Sequence, residues 1–260
     1  MINIYDLNGE ATDQISIPKV FETPLRPDII KRAVLAQQSH KRQPQGRNLL
    51  AGKRTTAESM GTGYGIARMA RVKGSGYPKA RQAAFIPSAV GGRRTHPPVT
   101  KKKIHHKINK KERQLAINSA IAATAHQDLV AKRGHIIDKT PSFPIVVSDD
   151  LQKISTAKEL RDVFTRLGLM DDISRAKNSV KIRAGKGSMR GRKRRHGRGP
   201  LIVIQKDEGI SRGAGNFLGV DVACITDINI EQLAPGTSLG RLTLWTVSAF
   251  NDLDNQLLQE

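Results

Sequence analysis

The 260-residue sequence has a single cysteine, Cys224, so it forms no intrachain disulfide and cannot build a thiolate zinc or iron-sulfur centre. A reducing compartment is therefore expected. Aromatic residues are scarce as well, at 4%, which leaves few rings on which bases could stack. No apolar stretch approaches the roughly 18 residues of a membrane span, and Met1–Glu10 lacks the basic patch and apolar run of a signal peptide. A soluble, non-secreted chain is expected. Acids are the fourth scarcity, 23 against 44 Lys and Arg, for a formal net charge of +21. An excess of that size strains a compact fold by self-repulsion until a polyanion neutralises it.

What is present is unevenly placed. Residues 40–113 hold 19 Lys or Arg and two acids, Glu58 and Glu112, and residues 174–198 hold 11 Lys or Arg and no acid. The other 161 residues carry 14 Lys or Arg against 21 acids. A merely basic soluble protein would spread its cations over its surface, whereas this chain confines them to two segments of a mildly acidic body.

From about residue 43 to 103, glycines such as Gly61, Gly63, Gly65, Gly74, Gly76, Gly91 and Gly92 alternate with Pro44, Pro78, Pro87, Pro97 and Pro98. No apolar period of 2 or 3.6 persists, so the stretch reads as neither helix nor strand. Its composition cannot bury enough apolar surface to offset ordering entropy, and an extended internal arm that orders on a partner is expected. The second segment, 174–198, includes Arg183-Ala184-Gly185-Lys186-Gly187-Ser188-Met189-Arg190-Gly191-Arg192-Lys193-Arg194-Arg195. Glycine lets backbone approach a phosphate and Arg supplies a fork matched to its oxygens. With aromatics nearly absent, backbone and shape recognition of a folded nucleic acid is favoured over base stacking.

The body alternates strand and helix signals. Ile2–Tyr5, Ile136–Ile137, Pro144–Val147, Leu201–Ile204, Val220–Ile225 and Leu242–Trp245 read as short buried strands. Helices are expected from Pro27-Asp28, from an Asn109 cap paired with Glu112, from a Thr156–Glu159 capping box to a Gly168 stop, and from about Ser248 to Gln259, presenting Leu253 and Leu257. The fold class is α/β: one domain with a mostly parallel sheet and flanking helices.

Sites of chemistry are weak. Gly213–Gly219 misses the dinucleotide spacing by one residue and precedes a strand instead of following one, and no phosphate-loop motif occurs. His105-His106 are adjacent and surrounded by lysines, while His40, His96, His126, His135 and His196 have no carboxylate at ligand or triad spacing. Cys224 lies in an apolar run and reads as an inert core thiol, Trp245 as core. Asp149-Asp150 and Asp171-Asp172 read as helix starts. No catalytic residue, no metal ligand and no protein-bound cofactor is expected.

Several motifs, in order over nearly the whole chain, carry a resemblance. They are Gly74-Ser75-Gly76, Phe85-Ile86-Pro87 with Gly91-Gly92-Arg93-Arg94, His96-Pro97-Pro98, Asn109-Lys110-Lys111-Glu112-Arg113, Arg183-Ala184-Gly185-Lys186-Gly187, Arg198-Gly199-Pro200, Leu233-Ala234-Pro235-Gly236, Gly240-Arg241-Leu242 and Trp245-Thr246 with Ser248-Ala249-Phe250. The chain resembles the large-subunit ribosomal protein four family in its archaeal and eukaryotic branch, with an archaeal length. The resemblance implies a Rossmann-like body and no enzymatic activity. It implies a basic arm that threads ribosomal RNA to the wall of the nascent-peptide exit tunnel, with the tip at Arg68–Pro78 through Met69, Arg71, Val72, Lys73, Gly74 and Tyr77. Implied partners are large-subunit ribosomal RNA, neighbouring ribosomal proteins of the cytoplasmic ribosome and the nascent peptide. No membrane or homo-oligomer is implied, and Mg²⁺ enters only as ions held by the RNA.

On this reading the RNA contacts fall to Lys41, Arg42, Arg47, Lys53, Arg54, Arg68, Arg81, Arg93, Arg94, His96, Lys101, Lys102 and Lys103 in the arm. In the second segment they fall to Arg183, Lys186, Arg190, Arg192, Lys193, Arg194, Arg195 and Arg198. Two other classes share parts of the pattern: a DNA-compacting architectural protein, and an α/β enzyme with basic extensions. The first rarely carries an acidic α/β body, and the second needs a convergent polar pocket at the strand ends.

Overall fold

A strand whose successive residues are all apolar must be covered on both faces, and Ile145–Val147 and Leu201–Ile204 are such strands. The computed structural model describes residues 1–257 and shows how they are covered. The chain opens with β1 (Ile2–Tyr5), β2 (Ala11–Ile15) and α1 (Pro27–His40), then passes through β3 (Ala57–Glu58) and β4 (Arg71–Val72). It continues with α2 (Lys110–Thr124), α3 (Gln127–Arg133), β5 (Ile145–Val147), α4 (Ala157–Arg166) and α5 (Met170–Asn178). Next come β6 (Lys181–Ile182), α6 (Lys186–Met189), β7 (Arg194–Arg195), β8 (Leu201–Ile204) and α7 (Ile210–Ala214). The last elements are β9 (Asp221–Cys224), α8 (Ile230–Leu233), β10 (Thr243–Thr246) and α9 (Val247–Leu257).

The main sheet runs β2-β1-β5-β10-β8-β9. Only β1 and β2 pair antiparallel; the other four pairings are parallel. Register sets the two cores. Trp245 lies opposite Val146 and Val203, and Leu244 opposite Ile145 and Ile202. The side chains of Val146, Leu201, Val203 and Trp245 therefore join the core built with α1, α2, α8 and α9. Their neighbours Ile145, Val147, Ile202, Ile204 and Leu244 join the core built with α4, α5 and α7. The result is a mixed, mostly parallel sheet with helices on both faces.

Local signals account for several boundaries. Thr156 Oγ1 accepts from Glu159 N–H at 3.4 Å at the start of α4. The helix closes at Gly168 (φ +70°), where Gly168 N–H donates to Thr165 O and Leu169 N–H to Phe164 O. Other expectations fail. Ile136-Ile137 form no strand, because Ile136 N–H donates to the Asp172 carboxylate at 3.1 Å instead of entering a ladder. Asn109 occupies the N-cap of α2 without a side-chain cap bond, and Glu112 pairs with Arg32 at 2.7 Å. Strand β2 was not foreseen, although Asn8-Gly9 marks its hairpin, with Gly9 at φ +83°. The expected end of the last helix at Gln259 lies outside the described residues, as does the side chain of Leu257, whereas Leu253 is fully buried.

The chain divides into two compact units, one of residues 1–39 with 106–260 and the other of residues 40–105. The first contains both cores. The second contains no buried residue at all. It is nevertheless not featureless: β4 pairs with β3 on one side, while on the other Val72 N–H donates to Gln82 O and Ala84 N–H to Ala70 O, each at 3.0 Å. The expectation of neither helix nor strand is thus corrected by a small, coreless ladder. Its hydrogen bonds are backbone bonds that need no apolar pattern in the sequence.

Candidate nucleic-acid interface

An open α/β sheet takes small ligands in the crevice beyond the carboxyl ends of its strands. Here that position is filled by the protein. The Gln152 amide nitrogen faces Asp149 Oδ1 at 3.1 Å, Ser248 Oγ at 3.1 Å and Thr246 Oγ1 at 3.3 Å, and its oxygen accepts from Lys206 N–H at 3.2 Å. Asp149 also accepts from Ser248 N–H at 3.0 Å. These bonds tie the ends of β5, β8 and β10 together. Among the described residues no group of three or more His, Cys, Asp or Glu could hold a metal ion, and no helix is long and apolar enough to cross a membrane. Cys224 is half-buried at the end of β9, where burial, then Asp207 and Asp227, push its thiol pKa up, away from the reactive thiolate.

The cations lie elsewhere. In the arm, Lys41, Arg42, Arg47, Lys53, Arg54, Arg68, Arg81, Arg94, His96, Lys101, Lys102 and Lys103 are exposed. Arg93 is half-buried, with its guanidinium 5.7 Å from the centre of the Phe85 ring. Arg47, Arg93, Arg94 and His96 line one open cleft of about 480 Å³ with Pro87, Gly92 and Thr95. Gly92 lines it and Gly52 packs against Gly92: a Cβ on Gly92 would stand 1.9 Å from Ile86 O, and one on Gly52 2.4 Å from Gly92 O. Only backbone this bare lets the two turns cross. At the two ends of the unit, His40 and His105 stack with ring centres 4.9 Å apart.

The expected tip is a turn built on β3 and β4. Met69, Arg71 and Val72 are half-buried and Lys73, Gly74 and Tyr77 exposed. Gly74 sits at φ +97° with the Tyr77 ring 2.9 Å from where a Cβ would be, and the Tyr77 hydroxyl donates to Lys73 O. Arg71 donates to Arg81 O at 2.9 Å, and Lys73 pairs with Glu58, the one acid of the arm. A second open cleft, of about 450 Å³, is lined by Glu58, Tyr64, Arg71, Lys73 and their neighbours.

The second segment is not the loose string that its glycines suggest. After α5, Lys181 pairs with Arg195 and Ile182 with Arg194, an antiparallel hairpin whose loop carries α6. Arg183, Lys186, Arg190, Arg192, Lys193, Arg194 and Arg195 are all exposed on it. Arg198 differs: its Nη1 holds both oxygens of Asp221, at 3.0 and 3.2 Å, so it is tied to the start of β9.

A buried polar cluster behind this hairpin was missing from the sequence reading. Asp172, fully buried, accepts from Arg175 Nε at 2.8 Å, from His135 Nδ1 at 3.0 Å and from Ile136 N–H at 3.1 Å. Burial alone would raise the Asp172 pKa, yet the bonds from His135 and Arg175 hold it below the usual carboxylate range. Burial lowers that of His135, with Arg175 and Arg133 adding to the effect and the Asp172 carboxylate opposing it. Arg133 is pushed down to about 10, by desolvation first and then by the charges of Arg241, Arg175 and Arg198. Residues 135 and 172 are 37 positions apart, so no spacing rule links them; Asp172 read as a helix-start acid, which it also is.

A mixed α/β body with closed strand ends and two exposed cationic segments defines a nucleic-acid-binding protein of the structural kind. Comparison with known proteins narrows that class. The family model for the ribosomal protein L4/L1 family matches residues 15–256, and the chain belongs to that family. It is similar to a protein named large ribosomal subunit protein uL4 from Methanosphaera stadtmanae, with 52% identity over 97% of this chain and 95% of the relative. Proteins of the same name from Methanopyrus kandleri (46% identity, 98% of each chain) and Methanococcus aeolicus (43%, 98% of this chain and 99% of the relative) are similar over the same extent. These archaeal relatives agree with the branch that the motifs implied.

Proposed function

We propose that this chain is a structural constituent of the large ribosomal subunit of archaeal type, and that its arm and its hairpin hold folded ribosomal RNA by replacing condensed counterions. Family membership carries the first part: the protein performs no chemistry, binds ribosomal RNA and works in translation on the cytoplasmic ribosome. The observation that carries the second is the contrast in burial. All twenty-one cations read from the sequence as RNA contacts are exposed or half-buried, whereas the cores lie in the rest of the chain. The body is taken as Rossmann-like, the Arg68–Pro78 turn as the part that lines the nascent-peptide tunnel, and the chain as a single copy beside other ribosomal proteins. The glycine-built turn at Gly74, stiffened by Tyr77, supports a tip that must hold its shape in a narrow place.

Titration of binding to large-subunit ribosomal RNA against salt tests the mechanism. If about ten side chains reach phosphates, log K falls by about 7 to 9 per log unit of salt, a hundredfold or more for each doubling. A flat profile rejects phosphate neutralisation. For the tip, Arg71→Glu or Lys73→Glu alters nascent-chain pausing while subunits still assemble; unchanged pausing overturns the tip assignment.

A further inference from the structure

The basic hairpin leaves the body after α5 and returns to β8, and its neck is crossed by several polar contacts. In α5, just before the outgoing limb, Arg175 spans two acceptors, with Nε on buried Asp172 at 2.8 Å and Nη2 on Arg198 O at 2.7 Å. Ser179 Oγ donates to Ala176 O and accepts from Gly197 N–H, both at 2.6 Å. The returning limb is held from the body by Arg241, which lies just before β10, is fully buried and donates to Gly199 O at 3.0 Å, to Gln232 O at 2.7 Å and to Asp221 Oδ2 at 2.6 Å. Asp221 in turn holds Arg198. Gly219, at φ +91°, lets the limb pass so closely that a Cβ there would stand 2.8 Å from Gly197 O and 2.9 Å from Gly199 N. Two ionic centres, each with one fully buried partner, Asp172 with Arg175 and Asp221 with Arg241, thus converge on residues 197–199.

We infer that these two centres form a clamp that fixes the base of the hairpin in the free protein, so that Arg175, Asp172, Asp221 and Arg241 act as positioning residues for RNA binding. The clamp rests on the RNA-binding reading above only in its consequence; the fixing itself is a property of the protein alone. A guanidinium is needed at 175 because one planar fork must reach a carboxylate and a carbonyl on two different limbs, which an ammonium on a flexible stem does not span. The neck differs in this from the hairpin's outer cations, which face solvent and can reach phosphate directly. Its bonds also explain how a stretch with eleven cations and no acid keeps one register: the countercharges come from α5 and β9.

The test uses the full-length chain. Amide hydrogen exchange without RNA is followed at residues 179–199, with residues 201–204 of β8 as the internal reference. The expected result is slow exchange at Gly197 and Gly199 in the wild type, tenfold or more faster in Arg175→Gln and equally fast in Arg175→Lys, with β8 unchanged. Binding to a large-subunit ribosomal RNA transcript weakens about five- to tenfold in both variants at an unaltered salt slope, because no phosphate contact is removed. Wild-type neck amides exchanging at unfolded rates overturn the clamp. So does full rescue by Arg175→Lys, or a salt slope lower by about one, either of which makes Arg175 a direct phosphate ligand. If Arg175→Gln does not fold, Ser179→Ala gives the same comparison at the outer edge of the neck. If the wild type fails to bind the transcript, the RNA reading falls while the exchange data still decide the clamp.

Discussion

Residues 40–105 and residues 179–199 are both glycine-rich and cationic, yet nothing in the first is buried, while the second returns to the sheet through Gly199 and Pro200, both buried beside Arg241. The arm holds its shape by local backbone bonds, by glycine crossings at Gly52 and Gly92, and by Arg93 on Phe85. The hairpin has equally few apolar contacts but borrows two carboxylates from the body. Cationic, glycine-rich sequence therefore permits two regimes. On the proposed function the arm meets part of its ordering cost when polyphosphate binds, while the proposed clamp lets the hairpin meet it during folding.

The sharpest way to break this comparison is Asp172→Ala. It leaves Arg175 and His135 without their buried partner, and a loss of about 3–5 kcal/mol in urea-derived unfolding free energy is expected. A loss below 1 kcal/mol would place the neck in the same loose regime as the arm. Next in size is acid sensitivity. The folded-state pKa of His135 lies below its unfolded value, so the unfolded chain binds the proton first, and stability falls as pH drops below the ordinary histidine range near 6.5. Asp172 lies below its own unfolded value and withdraws its contribution only at lower pH, as it protonates. His135→Gln should flatten the upper part of this profile; an unchanged profile would assign the acid loss to other groups.

The smallest expected effect lies on the other side of the comparison. Replacing 47–98 by a short Gly-Ser linker removes no buried side chain, and the unfolding free energy of the remaining chain, followed by circular dichroism, should stay within about 0.5 kcal/mol of the original. The same deletion should lower the salt slope of ribosomal RNA binding by several units. Collapse of the sheet on deletion would end the two-regime picture.

Much of this was legible before the fold was known, for identifiable reasons. Unbroken apolar runs such as Leu201–Ile204 announce a strand covered on both faces, and Thr156 with Gly168 brackets a helix because capping chemistry is local. The location of the cations is a matter of counting. What failed did so where distant groups compete for local ones: Ile136 gave its N–H to Asp172 instead of to a strand, and Glu112 took Arg32 instead of capping Asn109. Among the site residues, Arg198 looked like its arginine neighbours and differs only because Asp221 lies within reach.

The amino-acid order alone determined the α/β class, the two cationic segments and the absence of a catalytic constellation, because hydropathy period, charge density and spacing are properties of neighbours along the chain. Only the tertiary structure decided that the second cationic segment is anchored to the body. Asp172 and Arg175 face each other at local helical spacing, but anchoring depends on Arg175 reaching Arg198 O and on Asp221 arriving beside Arg198 and Arg241, contacts 20 to 23 positions apart that are set by distance in space, which separation in sequence does not encode.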